Sequence, residues 1–276
     1  MSKVSEFGVA VVTGGGHGIG RAISRRLAAE GVTVVVADLE EDAAATVAAE
    51  IGGRSFSIDV SDEKALATLV DSVEQDLGPI DLFVSNAGVG FGDGPDGAAS
   101  RDGSIGDVED RWALCWDVNV MAHVYAARAL VPRMKKRGGG CFVNIASAAG
   151  LLSQIGDAAY SATKHAAVAF AESLAITHGD DGIHVCVVCP QAVATRMIGI
   201  ADDSDSMDGG FGGNDVDGIL KPEEVADCIV DAINEQRFLV LPHPQVSTYF
   251  QRKAADHDRW IGGMQRFRKK LQAGEG

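Results

Sequence analysis

The sequence predicts an α/β fold: a single-domain, doubly wound parallel sheet with helices on both faces. Three observations carry that expectation. Apolar runs of strand length alternate with helical-period segments along almost the whole chain, which is the pattern of βαβ units. The runs are continuously apolar rather than alternating, as strands buried on both faces must be. A glycine-rich turn joins the first run to the first helical segment. At 276 residues and 46% hydrophobic composition, one large α/β domain can bury a substantial core.

Each element has its own reason. Residues 9–13 form a short buried strand. The turn at 14–20 leads into a helix over 19–30 that Gly31 ends. The β-branched run Val32-Thr33-Val34-Val35-Val36-Ala37 is a second strand. A helix over 40–51 and a third strand over 54–58 follow. Ser61 is placed to cap the next helix, with Asp62 and Glu63 in its first turn, where carboxylates suit the dipole. Residues 81–85 make a fourth strand, 111–136 one long helix, 140–146 a fifth strand, 160–178 a helix and 184–189 a sixth strand. Pro222 opens another helix at its first turn, and 237–241 is a seventh strand. Residues 1–243 then form the main α/β unit, which carries the glycine-rich turn, and 244–276 a C-terminal helical extension of the same domain. In that tail Trp260, Met264, Phe267 and Leu271 share one helical stripe, suited to packing on its own domain or on a partner subunit. Two stretches rich in Gly and Asp, 90–106 and 200–218, break the rhythm and are expected to be mobile.

Charge and cysteine usage narrow the setting. A formal net charge of −15 and a pI near 4.8 argue against nucleic acid and against anionic membrane surfaces, both of which would repel the chain. No apolar stretch reaches the roughly 18–20 residues of a membrane span, and the first residues lack a signal-peptide core. The five cysteines, Cys115, Cys141, Cys186, Cys189 and Cys228, sit mostly in apolar surroundings, and their odd number suits a reducing cytoplasm. Cys186-Val-Val-Cys189 has CxxC spacing, but on a strand the two side chains point to opposite faces, a poor geometry for a metal or a disulfide. No metal is expected.

The turn Thr13-Gly14-Gly15-Gly16-His17-Gly18-Ile19-Gly20 has the chemistry of a phosphate cradle. Glycines let the backbone turn tightly and approach a pyrophosphate, and the helix N-terminus favours negative charge. His17 is expected to face the phosphates through its backbone. Asp38 ends the second strand, eighteen residues past Gly20, where a carboxylate accepts hydrogen bonds from the ribose hydroxyls of an adenine dinucleotide. It would repel a 2′-phosphate, and neither His17 nor Leu39 supplies a lysine or arginine to offset that. The expected cofactor is NAD rather than NADP.

Tyr160-Ser161-Ala162-Thr163-Lys164 puts a phenol and an ammonium on one helical face. The ammonium is expected to pull the phenol below its ordinary pKa near ~10, toward a base useful at neutral pH. Ser147, thirteen residues upstream at the end of an apolar run, can hold a substrate oxygen.

The spacing Gly14-x-x-x-Gly18-x-Gly20, with Asp59-Val60, Asn86-Ala87-Gly88, Asn119, Ser147, Tyr160-x-x-x-Lys164 and Pro190-x-x-x-x-Thr195, closely resembles the short-chain dehydrogenase/reductase family over about residues 8–240. The resemblance implies a Rossmann fold and residue roles. Asp59 would bind the adenine amino group with help from the Val60 backbone. Asn86, Ala87 and Gly88 would line the cofactor. Asn119 would interrupt its helix and hold a water in a proton relay through Lys164, which would also bind the nicotinamide ribose. Tyr160 would be the general base in oxidation and the acid in reduction. Val193 would contact the carboxamide, and Thr195 would hold the nicotinamide end. Gln191 departs from the family's usual glycine after the proline and adds a polar group where nicotinamide and substrate meet. His165 should point away from Tyr160 and be structural.

The expected activity is NAD-dependent oxidation of a hydrophobic secondary alcohol, alicyclic, aromatic or steroid-like, or reduction of the ketone. A ketoacyl-type reductase and a non-catalytic NAD-binding redox sensor are the alternatives; Asp38 weighs against the first, and the intact set Asn119, Ser147, Tyr160 and Lys164 against the second. The alanine-rich helix at 160–175 and the one at 111–134 are expected to build a homodimer or a homotetramer.

Overall fold

In the computed structural model, residues 3–93, 97–98, 110–202, 204, 213 and 215–273 are described. Most of the two Gly/Asp stretches at 90–106 and 200–218 lies outside them. The apolar runs pair as β1 (Val9–Thr13), β2 (Thr33–Asp38), β3 (Arg54–Ser57), β4 (Ile80–Ser85), β5 (Gly140–Ile145), β6 (Ile183–Val188) and β7 (Leu239–Val240). Every pairing is parallel, in the order β3-β2-β1-β4-β5-β6-β7. Between and beyond the strands run α1 (Gly18–Ala29), α2 (Glu41–Ile51), α3 (Glu63–Asp76), α4 (Arg111–Trp116), α5 (Ala122–Arg137), α6 (Ala149–Leu152), α7 (Ala158–His178), α8 (Pro222–Asn234), α9 (Gln245–Ala255) and α10 (His257–Gln272).

The continuous apolar character of the runs has a direct cause. Ala10, Val12, Val34 and Val36 point into a core roofed by Ile23 and Leu27 of α1 and Ile229 and Val230 of α8. The residues between them, Val9, Val11 and Val35, join Phe83 and Phe142 in a second core under Leu66 and Leu69 of α3, Leu130 of α5 and Ala171 of α7. Each central strand is therefore buried on both sides. Cys186 belongs to the first core and Cys189 to the second, on opposite faces as the spacing requires. The chain winds outward from β1 to β3, then crosses back to place β4 on the other side of β1. That reversal opens a crevice beyond the carboxyl ends of β1 and β4.

Three departures from the sequence expectation each have a side-chain bond as their cause. Ser61 does not cap α3. Its amide and hydroxyl both donate to Asp59 Oδ1 (2.9 and 2.6 Å), and Asp62 takes the cap by accepting from the Lys64 and Ala65 amides (2.8 and 3.2 Å). The long helix over 111–136 contains a π-helical turn, Asp117–Met121, between α4 and α5. Asn119 sits in that turn, and its amide clasps the Val89 backbone at both ends: Oδ1 accepts from Val89 N and Nδ2 donates to Val89 O, each at 2.9 Å. Helix α7 starts at Ala158, two residues before Tyr160, because Asp157 accepts from the Tyr160 amide (3.0 Å). The C-terminal tail packs on its own domain: Val246 is fully buried, and Tyr249 and Trp260 lie against the second core.

The glycine turn is closed too tightly for side chains. A Cβ at Gly20 would stand 2.0 Å from the Gly14 carbonyl oxygen. Helix propensity alone would make Gly20→Ala stabilising by about 1 kcal/mol. The clash is expected to reverse the sign, costing about 1–3 kcal/mol as overpacking does, which urea denaturation of the variant checks.

Candidate active site

The carboxyl ends of the central strands border one cleft of about 1030 Å³. One end of it is built from backbone and charge. Gly14 and Gly18 turn at positive φ (59° and 48°), which presents the start of α1 to the cleft beside His17 and Ile19. Asn86 fastens this turn to β4 by donating from Nδ2 to the carbonyls of Thr13 and Gly14, both at 3.0 Å. Ala87 and Gly88 continue the wall. Asp38, nearly buried, accepts from the Gly16 amide at 2.8 Å and the Glu40 amide at 3.1 Å. It does not cap α2, whose N-cap is Glu40. Leu39, 70% exposed, and Asp59 and Val60 complete that end. Gly20 lies behind the turn, outside the lining.

The other end gathers the chemistry. Ser147 follows β5, and Tyr160 and Lys164 face the same space from α7. The Ser147 hydroxyl donates to the Pro190 carbonyl at 3.4 Å and accepts from the Ala149 amide at 3.1 Å. Lys164 Nζ donates to the Ile145 carbonyl at 3.0 Å and lies 5.5 Å from the centre of the Tyr160 ring. Asn119 stands one layer behind, donating to Thr163 Oγ1 at 3.1 Å. Pro190, Gln191, Val193 and Thr195 line the wall that follows β6. The methyl carbon of Thr195 packs against Gly18, where a Cβ would come within 2.8 Å of it. The Gln191 amide donates to His243 Nδ1 (3.1 Å), while its side-chain Oε1 is buried without a partner. His165 points elsewhere: Nδ1 lies 2.8 Å from the Ser161 carbonyl and Nε2 3.3 Å from Lys253 Nζ.

With the geometry in place, comparison with known proteins is decisive. The family model of the short chain dehydrogenases matches residues 8–205. The chain belongs to the short-chain dehydrogenase/reductase family. It is 36% identical over 236 residues to 1-deoxy-11-beta-hydroxypentalenate dehydrogenase of Streptomyces exfoliatus, covering 83% of this chain and 80% of that one. It is 37% identical over 193 residues to meso-2,3-butanediol dehydrogenase of Serratia marcescens, covering 68% and 72%. Among solved structures it resembles a short-chain dehydrogenase/reductase from Burkholderia phymatum in complex with NAD, with a TM-score of 0.78, 28% identity, and coverage of 94% and 96%.

Several residues of this dehydrogenase/reductase escaped the sequence reading. Trp260, Met264 and Phe267 of α10 and Tyr249 and Arg252 of α9 line the same cleft; their stripe signalled a buried face without saying what it covers. Arg111, fully buried, donates to the carbonyls of Gly92 and Gly97, and Asp157 Oδ2 accepts from the amides of Phe91 and Gly92 (3.1 and 3.0 Å). The second pair ties the start of α7 to the segment after β4.

The electrostatics correct one expectation. Burial pushes the Tyr160 phenol up to about 12 and outweighs the lowering influence of the nearby Ser147 hydroxyl, while burial lowers Lys164 to about 8. The spacing revealed the ammonium but not the desolvation, which is the larger effect here. A lysine whose folded pKa is depressed binds fewer protons than in the unfolded chain between pH 8 and 10.5, so stability rises with pH there. The raised tyrosine acts oppositely above pH 10. Lys164→Met is expected to abolish the rise between pH 8 and 10, measured as denaturation free energies of wild type and variant across that window.

Proposed function

We propose that this protein is an NAD-dependent dehydrogenase of hydrophobic secondary alcohols, working also as reductase of the corresponding ketones. The observation that carries the proposal is that Ser147, Tyr160 and Lys164 converge at one end of a cleft whose other end holds the glycine turn and Asp38. The residues fit the dinucleotide: a tight backbone turn at a helix N-terminus for the pyrophosphate, a carboxylate for the adenosine ribose, and Asp59 and Val60 around the adenine. When bound, the nicotinamide accepts or supplies the hydride. Tyr160 takes the proton from the substrate hydroxyl in oxidation and returns it in reduction. Ser147 orients the substrate oxygen. Lys164 supplies the positive charge that opposes desolvation of the phenolate, and it holds the nicotinamide ribose. Asn119 fixes the helical break beside it and holds the water of the proton relay. Asn86, Ala87, Gly88, Pro190, Val193 and Thr195 position the cofactor, and Gln191 offers its unpartnered carbonyl oxygen to the substrate.

Asp38 supports NAD over NADP, because its carboxylate occupies the ribose end. Arg196 lies in the same wall between two acids, with Nε 2.9 Å from Asp202 and Nη1 3.6 Å from Glu40. The same carboxylate weighs against a ketoacyl-type reductase drawing on NADPH. Leu152, Ile155, Met197, Trp260, Met264 and Phe267 support an alicyclic, aromatic or steroid-like substrate. Residues 244–276 are then an extension of the catalytic unit 1–243, their stripe serving as a substrate wall. Ala162, Ala169 and Ile176 recur every seven residues on the outer face of α7, with Ile176 85% exposed. This small, apolar face supports a homodimer or homotetramer. The buried, apolar setting of most of the cysteines agrees with a cytoplasmic home.

Tyr160→Phe is expected to lower kcat by about 10²–10⁴, the range of a lost general base, and to leave NAD affinity within a few fold. A substrate panel of secondary alcohols with NAD at mildly alkaline pH, read as NADH absorbance, tests the activity and the variant together. Retention of more than about a tenth of the rate would remove Tyr160 from its role.

Asp38→Ala is expected to narrow the preference for NAD over NADP by removing both the repulsion and the ribose bonds. Ratios of kcat/KM for the two cofactors, before and after substitution, decide it; unchanged ratios refute the assignment.

A further inference from the structure

The first amide of α1 is engaged by a protein carboxylate. Gly18 N donates to Asp202 Oδ1 at 3.0 Å. The second oxygen of that carboxylate lies 2.8 Å from His17 Nδ1 and 2.9 Å from Arg196 Nε. The Asp202 side chain is only 11% exposed. His17 Nε2 is in turn 3.1 Å from both Glu40 Oε2 and Arg196 Nη1. An acid is therefore held by a backbone N–H, an imidazole and a guanidinium at a helix N-terminus next to a glycine turn. That donor set is suited to phosphate. Burial pushes the Asp202 carboxyl up, but the Gly18 and His17 bonds outweigh it and hold it below its ordinary value, as expected of an anion in an anion site.

Asp202 belongs to the chain that follows β6. It lies more than 180 residues from the turn it occupies, and a few residues after Thr195, which packs on Gly18. A pyrophosphate delivered to the start of α1 meets the same donors. The two anions cannot share them, since like charges at that distance repel. We propose that Asp202 is an intramolecular competitor for the dinucleotide pyrophosphate, and that His17 and Arg196 exchange Asp202 for that phosphate when the cofactor binds. This rests on the dinucleotide reading given above. It assigns phosphate-binding roles to two side chains, where the glycine turn alone would use only backbone. It also links cofactor entry to release of Asp202 from the start of α1, a few residues after Met197 and Ile198, which line the cleft.

The apparent affinity for a ligand is reduced by the fraction of protein that is competent to bind it. If Asp202 holds the donors about nine-tenths of the time, its removal tightens phosphate-bearing ligands about tenfold. Isothermal titration of NAD, ADP and adenosine into the wild-type protein, Asp202→Ala and Asp202→Asn tests this. NAD and ADP should bind about tenfold tighter to Asp202→Ala, and adenosine, which has no phosphate, should be unchanged. Adenosine binding also reports that the variant is folded. Should Asp202→Ala lose it, Asp202→Asn, which keeps the shape and removes the charge, carries the same expectation. Adding Arg196→Met to Asp202→Ala should take the gain for NAD and ADP away without affecting adenosine. Unchanged or weaker ADP binding in the folded variant, or adenosine tightening as much as ADP, overturns the proposal. If the wild-type protein binds neither NAD nor ADP, the dinucleotide reading itself falls. If it binds both and the variants gain nothing, only the competitor falls.

Discussion

The knot between the ends of β1 and β4 is the interaction on which the rest of the site depends. Asn86 holds the Thr13 and Gly14 carbonyls, and Thr13 Oγ1 accepts from the Asn86 amide (3.0 Å). The knot fixes the glycine turn on one side. On the other it fixes the direction in which the chain leaves β4, and the next residues distribute that constraint. Val89 engages both ends of the Asn119 amide, and Asn119 reaches Thr163 on α7. Phe91 and Gly92 donate to Asp157, the cap that starts α7. The helix carrying Tyr160 and Lys164 is thus set by a chain of bonds that begins at the glycine turn. Asn119 and Thr163 are buried, so a partner lost there would cost a desolvated polar group, not merely one hydrogen bond.

The same dryness explains the protonation states. The protein carries a large negative charge, yet Lys164 lies within a low-dielectric layer where its ammonium is disfavoured. His123, buried on α5 near Asn144 and the Asn119 carbonyl, is lowered to about 3 by burial first and by Lys164 second, so it stays neutral. The thiols of Cys115 and Cys189, raised to about 12 chiefly by burial, also stay neutral. Lys164 is then the main positive group beside the phenol, and what it can do for Tyr160 is decided by a contest between Coulomb attraction and desolvation.

What could be read in the sequence follows from the range of the forces involved. The parallel sheet and its layering were legible because burial on both faces writes continuous apolar runs, and the glycine turn because backbone crowding admits no other residue at Gly20. Asn119 in its π turn was invisible to periodicity, since one extra residue barely disturbs an apolar stripe; only the family resemblance pointed to an interruption. Ser61 and Asp62 are both good caps, and the choice between them is made by Asp59, which competes for Ser61. The rise in the Tyr160 pKa depends on how much protein surrounds the phenol, a quantity no spacing encodes. The contact of His17 with Asp202 joins residues 185 apart in the chain, and nothing local announces it.

The two ends of the cleft also differ in how their specificity arises. The end proposed for the cofactor uses backbone amides, glycines and carboxylates at fixed strand ends, so its chemistry is carried by short motifs. The end proposed for the substrate is walled by α6, the residues after β6 and the C-terminal helices, where Phe267 and Leu271 crowd Gly213 closely enough that a Cβ there would stand 2.5 Å from the phenyl ring. Apolar walls discriminate by shape, and shape is set by packing between distant segments. A hydrophobic stripe of this kind keeps its period under many substitutions that would reshape the cavity. The reaction is therefore legible from a handful of residues, whereas the substrate is specified by a surface that no single residue defines.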